Sequence, residues 1–238
     1  MESSELKGYL TGLIVGDGYI DSGVVKRRFE IKSIDRNFIN KIKTDIESCS
    51  NFKINIKYYP EHDSSGCHHK ESWALEIKSH PYFAKKYHHF YDDYKNRIVS
   101  RDAARWLTPA GIANWYMSDG YICHVGITKG FITSRRIDFC TDRYDMESIN
   151  RLQNALLSFG VATSLNKRGN RYRIRVCQKS YETFIFLIYP YLVDSMKYKV
   201  NLMYQVQPPW MSDKMWELQQ HLESANPLTS NVEGEDIV

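Results

Sequence analysis

Residues 10–18 read LTGLIVGDG, and residues 112–120 read IANWYMSDG. Each is an apolar run studded with small residues. Each enters Asp-Gly-Tyr-Ile: Asp17-Gly18-Tyr19-Ile20, then Asp119-Gly120-Tyr121-Ile122. The two acids stand 102 residues apart in a chain of 238. Recurrence of one segment at a half-chain period points to a pseudo-symmetric fold of two similar units. One acid at the end of each copy points further, to a two-fold arrangement that brings two carboxylates together.

Composition narrows the class. The chain is 42% hydrophobic and 25% charged, as soluble globular proteins are. It has no apolar run of the roughly 18–20 residues that a membrane span needs. The opening MESSELKGYL lacks a basic region followed by an apolar core, so no secretory leader is expected. Five cysteines, odd in number and without CxxC pairing, fit a reducing, intracellular setting with free thiols. The net charge is +4, but residues 223–238 hold four acids and no Lys or Arg, so the body before them carries +8. That excess is mild support for a polyanionic partner.

Periodicity predicts the elements. Leu6, Tyr9, Leu10, Leu13 and Ile14 recur at helical spacing over residues 5–16, with Ser3 or Ser4 as the cap. Gly12 and Gly16 lie four apart on one face, and a glycine inside a helix costs about 1 kcal/mol relative to Ala. Such a stripe suits a second backbone approaching very closely. A hairpin follows over residues 18–34, with Phe29 and Ile31 facing opposite to Lys26, Arg28, Glu30 and Lys32. A helix is expected over 35–49, buried through Phe38, Ile39, Ile42 and Ile46. Strands over 53–58 and 73–78 flank a polar loop at 60–70, and a helix follows over 81–91. After a polar connector at 92–106, Thr108 and Pro109 open the second key helix. The order then repeats. A hairpin spans residues 120–141, and a helix spans 145–159 with Met146, Ile149, Leu152, Leu156 and Phe159 inward. A second hairpin turns at Gly169-Asn170, and an apolar helix over 180–192 is interrupted at Pro190. The fold class is α+β: two αββαββα halves with antiparallel sheets. The halves are placed at 1–95 and 108–205, with a linker at 96–107 and an extension and acidic tail at 206–238.

Two constellations can carry chemistry. On the strand ending at Cys177, Arg171, Arg173 and Arg175 share one face, and Tyr172, Ile174 and Val176 the other. Arg forks read guanine edges bidentately, and Lys and Arg neutralise phosphates. Sheet faces of this kind suit a groove of duplex DNA and would form two basic saddles. The candidate DNA-facing residues are Lys26, Arg28, Glu30, Lys32, Lys53, Asn55, Lys57, Glu76 and Lys78 in the first half. In the second they are Arg136, Asp138, Asn166, Arg168, Arg171, Arg173 and Arg175. Any exposed antiparallel sheet alternates charges, so this pattern needs support from the acids. A phosphodiester resists attack until divalent metals neutralise its charge, activate water and stabilise the leaving oxygen. Hard cations such as Mg²⁺ take carboxylate and carbonyl oxygens, and two adjacent carboxylates are unfavourable unless a cation sits between them. Asp-Gly also ends helices without any function, but the repeated Asp-Gly-Tyr-Ile context weighs against that for Asp17 and Asp119. His62, Cys67, His68, His69, His80, His88 and His89 cluster without a standard zinc-ligand spacing. No phosphate-binding glycine loop or nucleophile elbow is present.

The two nine-residue segments resemble the paired signature of the LAGLIDADG homing endonucleases. Residues 10–18 match it closely and residues 112–120 more loosely, and the approach Leu107-Thr108-Pro109 resembles the monomeric, two-motif branch. The resemblance covers residues 5–205. It implies two halves joined at their motif helices and a saddle of two sheets over the DNA. It implies a monomeric enzyme that cuts both strands of a long, rare site and leaves short 3′ overhangs, as in intron homing. It further implies two or three Mg²⁺ ions, replaceable by Mn²⁺, on Asp17 and Asp119 and on the carbonyls of Gly16 and Ser118. The family places one basic residue per half near the attacking water. Lys199 fits the second half, and Lys95 or Arg97 the first. The helix interface would use Gly12, Gly16, Asn114 and Ser118, with Asn114 in place of the first glycine loosening that face. The alternative reading is a nucleic-acid binder without cleavage: an RNA maturase acting on intron RNA, or a regulator.

Overall fold

The computed structural model describes residues 3–23, 26–64, 66–128, 131–202 and 207–224. Helix α1 (Ser3–Val15) includes Ser3 and Ser4 in its first turn, so neither stands ahead of it as a cap. Tyr9, Leu10, Leu13 and Ile14 are buried. Strands β1 (Tyr19–Ile20) and β2 (Arg27–Ser33) form the expected hairpin. The Asp21 carboxylate accepts from the Gly23 and Arg28 amides and so holds its turn. Helix α2 (Arg36–Glu47) is capped by Asp35, which accepts from the Phe38 amide, and buries Phe38, Ile39, Ile42 and Ile46.

Strand β3 (Ile54–Tyr59) leads into a small hairpin where a loop is expected, β4 (His62–Ser64) paired with β5 (Cys67–His69). Gly66, at φ +77°, supplies the left-handed residue of its turn. The rings of His62 and His69 stack across it at 4.9 Å. Strand β6 (Ser72–His80) follows. The helix expected over 81–91 is divided into α3 (Pro81–Lys86) and a 3₁₀ turn, Tyr87–His89. The connector contains α4 (Arg101–Trp106).

Helix α5 (Pro109–Asp119) begins as the sequence predicts, with the Thr108 hydroxyl accepting from the Gly111 amide and Pro109 at the first position. Strands β7 (Gly120–Thr128) and β8 (Phe131–Phe139) come next. Helix α6 (Met146–Ser158) is capped by Asp145. Its buried face is Ser148, Ile149, Leu152, Ala155 and Leu156, whereas Met146 is exposed. Met146 stands about 120° round the helix from Leu152, so the inward assignment from sequence is wrong there. Strands β9 (Thr163–Arg168) and β10 (Arg171–Val176) pair across Gly169, at φ +60°. Helix α7 (Tyr181–Ile188), 3₁₀ turns at Tyr189–Tyr191 and Asp194–Val200, and α8 (Asp213–Ser224) complete the described chain.

The repeat is structural. One antiparallel sheet runs β1-β2-β6-β3 and the other β7-β8-β10-β9, the same order in each half. Phe29, Ile31, Leu75 and Ile77 bury the inner face of the first sheet, and Ile137, Phe139, Ile174 and Val176 that of the second. Glu30, Lys32, Lys57, Glu76 and Arg175 alternate to the opposite faces, whereas Arg135 is buried in phase with Ile137 and Phe139.

Helices α1 and α5 join the halves. A Cβ added at Gly12 would lie 1.8 Å from the Gly111 carbonyl oxygen, and one at Gly16 would lie 2.0 Å from the Ser118 hydroxyl. The partner of Gly12 is therefore Gly111, one helical turn before the expected Asn114. The substitution at 114 loosens nothing: Asn114 is buried, and its side-chain amide reaches the Tyr9 carbonyl at 3.5 Å. Backbone meets backbone at this crossing. Gly12→Ala is expected to lower stability by about 3 kcal/mol or more. Urea unfolding measures this, and an unchanged midpoint would refute the backbone contact.

Candidate active site

The crossing carries both helices to a common end. Asp17 stands two residues past the end of α1, and Asp119 is the last residue of α5. Neither Gly18 nor Gly120 adopts a left-handed conformation. Space requires them instead: a Cβ at Gly18 would meet the Leu13 oxygen at 2.6 Å, and one at Gly120 would meet the Tyr116 ring at 1.9 Å.

One guanidinium nitrogen, Arg143 Nη2, touches both acids, at 3.3 Å from Asp17 Oδ1 and 2.6 Å from Asp119 Oδ2. The two carboxylates are thus brought together, with a cation between them. Their surroundings differ. The Asp17 side chain is 46% exposed, that of Asp119 only 10%. Burial raises the Asp119 pKa to about 6, the Asp17 charge adds to the rise, and Arg143 opposes it.

Two more cations cap the helix ends. Arg97 donates to the carbonyls of Ile14 and Gly16 at 3.0 Å each, and to that of Gly18. Lys199 Nζ donates to the carbonyls of Met117 at 2.6 Å and Gly120 at 3.0 Å. Both sit where the helix dipole is negative. Arg97 and Lys199 are 102 residues apart, the spacing of the two acids. Burial pushes the Lys199 ammonium below the ordinary lysine range, with Asp17 and Asp119 opposing the shift. Lys95, the other basic candidate, is exposed in the turn closed by Asp92, at φ +65°. The structure brings Arg97 to the site and leaves Lys95 outside it.

Clefts open on both acids. One of about 470 Å³ is lined by Asp17, Lys32, Ser118 and Lys199, and one of about 380 Å³ by Asp119, Tyr121, Cys140 and Arg173. The β4–β5 hairpin lines a further cleft beside Asp17 with His68 and His69. Among the described residues, no cluster of three or more His, Cys, Asp or Glu side chains could hold a metal. His68 is engaged instead by Glu61 and Asp63.

The candidate DNA-facing residues line the outer sheet faces with unequal freedom. Lys26, Lys32, Lys53, Asn55, Lys78, Arg168 and Arg171 are exposed, whereas Arg28, Glu30, Lys57, Arg136 and Asn166 are half-buried. Glu76 is held by Lys57 at 2.5 Å and Arg28 at 3.6 Å. Arg173 is held by Asp142 at 2.5 Å. Asp138 is fully buried beneath Arg175 and Asn166. It cannot touch DNA directly, which corrects the sequence assignment.

Sequence reasoning missed Arg143 and Tyr144. The Tyr144 hydroxyl donates to the Val15 carbonyl at 2.7 Å and ties this loop to the end of α1. A weak signal existed: a basic residue two positions before the capping Asp145, where the first half has Ser33 before Asp35.

The raised Asp119 pKa sets a pH dependence. Between the unfolded value near 4 and the folded value near 6, the folded chain binds more protons at this group, so its contribution falls as pH rises. Asp119→Asn is therefore expected to gain stability over wild type as pH rises from 4 to 6. The gain should approach about 3 kcal/mol and then level off. Urea unfolding in chelator at each pH measures it; a difference independent of pH would refute the buried charge.

With this geometry in place, likeness to known proteins is informative. The model of the LAGLIDADG DNA endonuclease family matches residues 7–184. DNA endonuclease I-ChuI of Chlamydomonas applanata is 23% identical over 216 residues, covering 84% of this chain and 95% of that protein. Cytochrome b mRNA maturase bI2 of Saccharomyces cerevisiae is 28% identical over 106 residues, 44% of this chain and 23% of that one. The solved structure of homing endonuclease I-WcaI bound to its DNA recognition sequence superposes with a TM-score of 0.71. It is 22% identical, over 86% of this chain and 88% of that one. With its two acids on packed motif helices and a family match across both sheets, the chain belongs to the LAGLIDADG DNA endonuclease family.

Proposed function

We propose that this chain is a monomeric, site-specific homing endonuclease that makes a double-strand break in a long DNA target and leaves short 3′ overhangs. The observation that carries this reading is the convergence of Asp17 and Asp119 on one cation, at the joined ends of two motif helices. A chain that only bound nucleic acid would have no use for two carboxylates held against each other, one of them buried. This favours cleavage over maturation of intron RNA or regulation without cutting.

The site fits a divalent cation. A positive group already bridges the two acids, and the surrounding donors are oxygens, the kind that hard cations take. Asp17, Asp119 and the carbonyls of Gly16 and Ser118 would hold two or three Mg²⁺ ions, with Mn²⁺ as a substitute. When bound, these ions lower the pKa of water and stabilise the 3′-oxygen leaving group. Arg143 must give up at least one of its carboxylate contacts to admit them. Lys199 and Arg97 hold the backbone carbonyls in place, and Lys199, with its depressed pKa, is the group able to exchange a proton with water at the Asp17 cleft.

The halves 1–95 and 108–205 would each meet one half-site through an outer sheet face. The linker 96–107 would join them; of the extension 206–238, residues 206 and 225–238 lie outside the described residues. Lys53, Asn55, Lys78, Arg168 and Arg171 are free to contact the duplex.

Asp17→Asn or Asp119→Asn is expected to slow double-strand cleavage at least about 100-fold in Mg²⁺. The assay is linearisation of a plasmid carrying the uninterrupted target allele. Full-rate cleavage by either variant would sink the assignment of the two acids.

A further inference from the structure

The two sheets present equivalent rows of residues with different chemistry. Strand register aligns Tyr19, Glu30, Glu76 and Asn55 across the outer face of the first sheet. In the second, the matching row is Tyr121, Asp138, Arg175 and Ser164. Tyr19 and Tyr121 each stand two residues beyond a motif acid, so both rows lie close to the cutting centre. The first row is acidic at its middle, with two carboxylates neutralised from adjoining rows by Arg28 and Lys57. The second has an acid and an arginine side by side.

Asp138 is 0% exposed and saturated with donors. Arg175 Nε donates to Oδ1 at 3.0 Å and Nη2 to Oδ2 at 3.5 Å. Asn166 Nδ2 donates to Oδ2 at 3.3 Å, and the Tyr121 hydroxyl to Oδ2 at 3.4 Å. Tyr121 in turn accepts from Arg173 Nη1 at 2.9 Å. A bare carboxylate buried on a face meant for solvent is costly; here it orients one edge of the Arg175 fork. Arg175 Nη1 has no hydrogen bond among the described residues, so the other edge stays available.

We infer that Asp138 is a positioning residue for target specificity, holding Arg175 so that its free edge reads a guanine near the cut in the second half-site. The inference rests on the reading of this face as a DNA-binding surface. The acidic row of the first sheet offers acceptors, which suit the amino groups of cytosine or adenine instead. The two half-sites are thus read by unlike chemistry beside the cut.

Selection from a duplex DNA library with randomised positions, using the full chain with Ca²⁺ and then deep sequencing, tests this. Wild type should enrich guanine at one position close to the centre. Asp138→Asn and Arg175→Lys should each weaken that preference about tenfold or more, while other positions keep theirs. The double variant should lose no more than the Arg175→Lys variant alone. Arg175→Lys keeps a charge over Asp138 but loses the fork, so it tests the base contact, and Asp138→Glu, which keeps the carboxylate but displaces it, tests the positioning if Asp138→Asn does not fold. Unchanged preference in either variant, or binding weakened equally for all sequences, overturns the role of Asp138 and leaves the nuclease reading standing. A folded wild-type chain that enriches no sequence overturns the nuclease reading itself.

Discussion

The backbone contact between α1 and α5 is the constraint on which the remainder depends. Gly12 and Gly111 let two helices meet without side chains between them. Both helices then end at one place, and each brings a partial negative charge at its C-terminus. Two carboxylates add to it. Such crowding is unstable without cations, and three arrive: Arg97 on the carbonyls ending α1, Lys199 on those ending α5, and Arg143 on the acids. The site is therefore poised for positive charge by the way the halves pack, and the proposed catalytic chemistry would draw on a field that the fold already creates.

The backbone is close to symmetric while the chemistry is not. Strand order is the same in both sheets, and the acids and helix-end cations share one spacing. Yet one acid is half-exposed and the other nearly buried, the cation is arginine in one half and lysine in the other, and Arg143 has Ser33 in the corresponding place. The central rows of the sheets differ in charge, two carboxylates in one and an acid beside an arginine in the other. A repeat with these differences suits a duplex whose two halves are unlike.

Much of the fold was legible locally. The buried stripe of α2 and the Thr108 cap of α5 follow from helical period and from the need to satisfy the first amides of a helix. The hairpin at residues 62–69 was not legible, because its short strands lack apolar alternation and their described side chains are exposed. Met146 was misplaced because it sits at the margin of the apolar arc. Alternation placed Asp138 on the correct face of its strand but could not tell depth: Arg175 and Asn166, distant in sequence, cover it.

The sequence by itself determined the twofold repeat, the order of the elements that the two halves share and the positions of the two motif acids, since each is written in local period or in a repeated motif. Tertiary structure decided what those acids meet. Arg143 bridging them, Gly111 and not Asn114 against Gly12, Arg97 and not Lys95 at the helix end, and Asp138 beneath Arg175 all depend on how surfaces distant in sequence fit together. Packing between such surfaces is set by shape and register in three dimensions, to which one-dimensional periodicity is blind.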